Sequence, residues 1–418
     1  MKTIISKNLV LLFSLLFSAT ILAQESNPSK NSGYIYVEGV NLYTPDHKKF
    51  FIQGTNVGNW LNPEGYMFFF ENTSSYRLIN QAFSEMVGPE FTKNFWQSFK
   101  KNYITKEDIE YIRSTGMNTV RVPFHYKQFT DEDYLGLTGK QDGFEILDQV
   151  IKWSKDAGLY VILDMHVAPG GQTGDNIDDS YGYPWLFMEK AYQDQFVAIW
   201  KSIAERYKNE TAVLGYDLLN EPIAHYFEKD YEKLNPKLEP LYKRATAEIR
   251  KVDPHHIIIL GGAQWNSNFS VFKDWTFDPQ LVYSPHRYWS GTETKDIQDF
   301  LDFQQKVNLP MFMGETGENT DEWVEKFRIT LEKNNIGWTF WPYKKMVPTA
   351  GMMTIAKPKD WDLIVEYTKK DRSSFEKIRE ARPDQQKVRN AMLELLENMK
   401  FSNSIKNEGY TRALGMTP

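Results

Sequence analysis

Two glutamates in this chain stand where a buried strand runs out. The largely apolar run Val213–Leu219 stops at Asn220-Glu221-Pro222, and a second run, Met311-Phe312-Met313-Gly314, stops at Glu315. Carboxylates at the ends of two buried strands can face each other across a substrate. That is the arrangement an acid/base and a nucleophile require. Either glutamate alone is better read as capping a strand end and pairing at the surface; the two together with their surroundings point to chemistry.

The other strand ends are polar in a convergent way. They present Arg121, His166, Asn220, His286, Tyr288 and Trp341. Each suits one task in glycoside cleavage. The glycosidic oxygen is a poor leaving group and needs a proton from an acid that stays protonated, which fits Glu221. The anomeric carbon needs a carboxylate on its other face, which fits Glu315. Asn220 can bond a sugar 2-hydroxyl. Arg121 can orient Glu315 and hold it ionised, and Tyr288 can donate to the same carboxylate. His166 and His286 can bind hydroxyls and tune Glu221, and Trp341 can lie flat beneath a sugar ring. A metal site is the rival reading of the histidines and glutamates. No HExxH occurs, and single ligands scattered over strand ends are a poor metal signature.

These residues need a frame that brings strand ends together. Eight short β-rich runs are spaced along the chain: 50–56, 118–123, 160–166, 213–219, 257–260, 281–284, 310–314 and 337–341. Helical stripes lie between them, among them Phe196, Trp200, Ile203, Ala204 and Tyr207. Strands alternating with helices imply a parallel sheet, and at this length an eight-stranded α/β barrel of the (β/α)8 TIM type. A doubly wound open sheet is the alternative, but no GxGxxG or P-loop supports it. Connections from helix to strand are short, such as Gly158 to Leu159; those from strand to helix are long, such as 57–105 and 167–190. Barrels of this kind build their sites from the long side. The expected division is a leader over 1–23, a flexible lead over 24–33, one barrel domain over 34–370 opened by a small hairpin, and a helical extension over 371–418. A helix over Asp360–Lys370 is expected to complete the barrel.

Lys2 and Lys7 precede an apolar stretch, Leu9–Phe17, and Ile21-Leu22-Ala23 ends in a small residue. This reads as a cleavable signal peptide, too short for a comfortable membrane span. A secreted or periplasmic protein is expected, with no membrane span once the leader is gone. The chain has no cysteine, so disulfides, thiolate metal sites and lipidation at the cleavage point are excluded. The formal charge of −6 with no basic stripe gives no sign of a nucleic-acid partner. Aromatics reach 15% of residues, which suits stacking on sugar rings. A monomer with a carbohydrate substrate is expected.

The set resembles glycoside hydrolase family 5, the cellulase-like retaining β-glycosidases. Leu219-Asn220-Glu221-Pro222 is similar to its acid/base motif and Gly314-Glu315 to its nucleophile motif, with Arg121, His166, His286, Tyr288 and Trp341 in matching order. The resemblance implies a barrel, net retention and no cofactor. Gly54-Thr55-Asn56-Val57-Gly58-Asn59-Trp60-Leu61 and Ala168-Pro169-Gly170-Gly171-Gln172 resemble the exo-β-1,3-glucanase-like branch. That likeness makes Glu64 a candidate contact for a terminal sugar. Trp60, Glu318, Asn319 and Lys344 are further candidate contacts. Lys344 and Lys345 depart from the neutral loop expected there, and are read either as glycan contacts or as solvated. A non-catalytic glycan-binding barrel and a transglycosylase are the alternative functions.

Overall fold

The computed structural model describes residues 27, 29–30, 32–347 and 350–418. The leader expected over 1–23 lies outside them. The barrel strands are β1 (Gln53–Asn56), β2 (Thr119–His125), β3 (Tyr160–Val167), β4 (Val213–Asp217), β5 (Ile257–Leu260), β6 (Leu281–Tyr283), β7 (Phe312–Met313) and β8 (Gly337–Phe340). They form one eight-stranded sheet in the order β6-β5-β4-β3-β2-β1-β8-β7. Every pairing is parallel. Parallel bridges Tyr283–Met311 and His286–Glu315 join β6 to β7 and close the barrel. All eight strands coincide with the apolar runs of the sequence. Their residues are buried almost throughout, which is why they read as continuous apolar runs and not as alternating ones.

The principal surrounding helices are α1 (Lys106–Ser114), α2 (Lys140–Ala157), α3 (Lys190–Tyr207), α4 (Leu238–Arg250), α5 (Gln298–Val307) and α6 (Asp321–Lys333). Helix α1 starts at Thr105, whose N–H donates to Asp108 Oδ2 at 2.8 Å. Gly116 and Gly158 follow α1 and α2 with φ of +105° and +79°, which lets the chain turn at once into β2 and β3. Such tight turns keep the helix-to-strand end closed and leave the long loops to the opposite end.

An antiparallel sheet of Tyr36–Glu38, Asn41–Tyr43 and Lys49–Phe50 stoppers the closed end. Its Val37 and Leu42, with Ile35 just before it, pack on Ile52, Ile162, Leu214, Ile259, Val282 and Phe312. The described part of the expected flexible lead is also tied down. Asn27 Nδ2 donates to Val37 O at 2.8 Å, and Ser29 Oγ to His255 O at 2.7 Å.

The chain past β8 departs from expectation. Helix α7 (Trp361–Thr368) does not sit beside β8 in the barrel wall. It packs on the loop after β1, where the Trp361 ring lies over Phe70 and its Nε1 donates to Phe68 O. The wall position between α6 and α1 is filled by α8 (Glu408–Ala413). Arg328 Nε of α6 donates to Ala413 O, and Thr417 N donates to Thr115 O at the end of α1. The extension is not wholly helical: Ile405–Lys406 pairs with Met353–Ile355, which pairs with Lys344–Met346. No helix among the described residues is long and apolar enough to cross a membrane.

Candidate active site

The open end of the barrel gathers the polar strand ends around one guanidinium. Arg121, fully buried on β2, donates to Glu315 Oε1 at 2.6 Å, Asp217 Oδ2 at 2.9 Å, and Asn56 Oδ1 and Asn220 Oδ1 at 3.0 Å. Asp164 Oδ1 lies 3.1 Å away. A planar fork with several fixed donors can orient this many acceptors; an ammonium could not. Tyr288 OH donates to the other oxygen of Glu315, Oε2, at 3.1 Å. Both oxygens of Glu315 are therefore held and its plane is fixed.

Glu221 is placed differently. It lies just past β4, and Oε1 is 2.8 Å from His286 Nδ1. Burial pushes its pKa up to about 7, against the opposing pull of His166 and Arg121. Burial also drives His286 down to about 3, so the imidazole is neutral and its contact with Glu221 is a hydrogen bond, not an ion pair. His166 goes the other way. Burial opposes its charge, but Asp164, 2.8 Å from Nδ1, raises it to about 10. Its Nε2 faces Glu64 Oε1 at 3.4 Å. Burial pushes Glu64 up to about 7, with His166 pulling it down.

Trp341 forms the floor beside these groups. Its ring is parallel to His166 within 2°, and Nε1 donates to Tyr66 OH at 2.7 Å. The indole lies so close to Gly58 that a Cβ there would come within 2.2 Å of it, which is why glycine stands at this position. Glu318 pairs with Lys345 at 2.5 Å beside Tyr66. Asn319 Oδ1 accepts from Thr320 N, at the lead-in to α6.

Two sequence candidates are not contacts. Trp60 is buried, and its Nε1 donates to Lys100 O at 2.8 Å, so it packs beneath the first loop. Lys344 is neither solvated nor turned to the cleft. Its ammonium is fully buried, 2.6 Å from Asp108 Oδ1, and donates to the carbonyls of Tyr103 and Met399. In the long loop after β1, Phe68 and Phe70 are core while Tyr66 stays open to solvent, as does Trp289 in the loop after β6.

Sequence reasoning passed over Asn56, Asp164 and Asp217. Asp164 had a usable signal: it stands two residues from His166 on one strand and so shares its face. Among the described residues two groups of possible metal ligands occur, Asp164/His166/Glu315 and Glu221/His286/Glu315. Arg121 touches Asp164 and Glu315 directly and disfavours a second cation among these carboxylates.

A closed parallel barrel with two facing glutamates at its open end, one held by Arg121 and the other by His286, is the build of a glycoside hydrolase. The model of the cellulase family, glycosyl hydrolase family 5, matches residues 81–346, and the chain belongs to that family. Among curated proteins it is similar to a β-xylosidase of Phanerodontia chrysosporium, 34% identical over 58% of this chain and 48% of that protein. Endoglucanase C of Acetivibrio thermocellus is 26% identical over 71% of this chain and 92% of that protein. A glucan 1,3-β-glucosidase of Lachancea kluyveri is 28% identical over 62% and 63%. The chain thus spans about half the length of the first relative and under two thirds of the third. Their names differ in sugar and in mode of cleavage.

Proposed function

We propose that this chain is a secreted retaining β-glycoside hydrolase that cleaves a β-glucan-type substrate by double displacement. The observation that carries the reading is the spacing of the two glutamates. A carboxyl oxygen of Glu221, one of Glu315 and a ring nitrogen of His286 all lie within 4.8 Å of one another. An approach this close of one oxygen from each carboxyl supports the separation of about 5–5.5 Å at which the second carboxylate attacks directly, over the about 6.5–9.5 Å that leaves room for a water.

In the first step Glu221, kept protonated by burial, gives its proton to the glycosidic oxygen. Glu315, locked between Arg121 and Tyr288, attacks the anomeric carbon from the opposite face, and the leaving sugar departs. Glu221, now a carboxylate, takes a proton from water as that water opens the glycosyl ester, which restores the original configuration. Arg121 fixes the Asn220 amide by holding its oxygen, so Nδ2 is the donor left for the sugar 2-hydroxyl. Protonated His166 and Glu64 offer a donor and an acceptor to neighbouring hydroxyls.

Export follows from the leader at 1–23. The branch-like motifs around 54–61 and 168–172 favour a β-1,3-linked glucan. The test is product analysis by NMR on β-glucans, xylans, mannans and aryl β-glycosides, with Glu315→Gln as control. A β-anomer as first product supports the mechanism; an α-anomer from a β-linked substrate overturns it. Glycan binding with no turnover would point instead to a binding protein.

A further inference from the structure

Glu221 has a left-handed backbone with φ of +45°, and Ile223 follows with φ of +58°. For residues other than glycine, and most of all for a β-branched one, this region costs on the order of 1–3 kcal/mol each. It persists only where the surroundings over-determine it. Here two consecutive residues of the loop after β3 do so. Gln172 Nε2 donates to Asn220 O at 2.8 Å and to His166 O at 2.7 Å, while its Oε1 accepts from Ala168 N at 2.9 Å. Thr173 Oγ1 donates to Glu221 O at 2.8 Å. Their own carbonyls accept from Ile223 N and Ala224 N, at 2.8 and 3.1 Å. Gln172 and Thr173 are fully buried.

The holder is itself held. The buried Asp178 carboxylate accepts from Thr173 N at 2.7 Å, Gly174 N at 2.9 Å and Ser180 N at 3.1 Å. Glu315 stands on another strand and is fixed by Arg121 and Tyr288, so this clamp acts on one glutamate and not on the other.

We propose that Gln172 and Thr173 are positioning residues that aim the Glu221 carboxyl by pinning its strained backbone. The proposal rests on the reading of Glu221 as acid/base. Releasing the Glu221 carbonyl lets the residue relax from the left-handed region, which swings its side chain away from the leaving oxygen. Proton transfer needs hydrogen-bond reach, whereas nucleophilic attack by Glu315 is untouched.

The test compares wild type, Thr173→Val, Thr173→Ser, Gln172→Ala and Glu221→Ala on phenyl and dinitrophenyl β-glycosides of the sugar the enzyme cleaves. A phenol needs protonation to leave and a dinitrophenol does not. Thr173→Val is expected to lose roughly tenfold or more in kcat/KM on the phenyl substrate and no more than about twofold on the dinitrophenyl one, part of the about 10²–10⁴ an acid supplies. Thr173→Ser, which keeps the hydroxyl, restores the phenyl activity. Equal losses on both substrates, or no loss on either, overturn the proposal. If Thr173→Val does not fold, Gln172→Ala carries the same comparison with the same two outcomes. Glu221→Ala separates the failures: if it discriminates between the leaving groups and the clamp variants do not, positioning alone is wrong. If Glu221→Ala does not discriminate either, the acid/base reading falls with it.

Discussion

His286 Nδ1 lies 2.8 Å from Glu221 Oε1, yet the ring carries no charge at neutral pH because burial holds it down to about 3. A charged imidazole there would stabilise the carboxylate and waste the acid. The neutral ring orients the carboxyl and leaves its pKa near 7. An acid with a raised pKa works below that value and is lost as the pH rises through it. We therefore expect kcat/KM to fall on the alkaline side with a midpoint near 7. A profile recorded on a substrate with a poor leaving group checks this; activity unchanged well into the alkaline range contradicts it.

The two glutamates should separate by substrate. Glu315→Gln is expected to abolish turnover on every substrate with melting unchanged. Glu221→Ala should cost about 10²–10⁴ on natural glycosides and far less on activated ones. Kinetics over a leaving-group series, beside thermal melts, decide the matter. Substantial turnover by Glu315→Gln would remove it as nucleophile.

Lys344 is expected to matter for stability and not for sugar binding. Its ammonium is buried against Asp108, and removing one partner of such a pair strands the other charge. Lys344→Met should lose about 3–5 kcal/mol in denaturant unfolding, while the KM of the folded enzyme stays put. A raised KM at unaltered stability would return the residue to the list of substrate contacts.

The wall helix α8 makes a second stability prediction. Leu414, just past it, is fully buried. Leu414→Ala should cost about 2–5 kcal/mol by the cavity it leaves. Urea unfolding measures it; a change below about half a kcal/mol, the range of an ordinary surface site, would show the seam to be loosely packed.

The strands were legible because both their faces are buried, so each stands out as a short apolar run between polar loops. The glutamates, His166 and Asn220 were legible as polar residues at the ends of such runs, and Arg121, His286 and Tyr288 by their order along the chain beside them. Structure brings all of them together. What stayed hidden depends on distance along the chain. Asp217 sits inside an apolar run and only the guanidinium of Arg121 explains it. Lys344 resembled a loop lysine because its partner, Asp108, lies on the first wall helix. Trp60 could not be told from an exposed ring without seeing what lies over it. Helix α7 carries the stronger apolar stripe and was expected in the wall, whereas α8 is too short for periodicity to register.

Because α8 seals the gap between α6 and α1, the barrel is a staved vessel whose last stave is cut long after the others. All eight strands, and the extension that wraps the first loop, precede it in the chain. A partly folded molecule can have a complete ring of strands and still bare an apolar slot where Tyr410 and Leu414 belong.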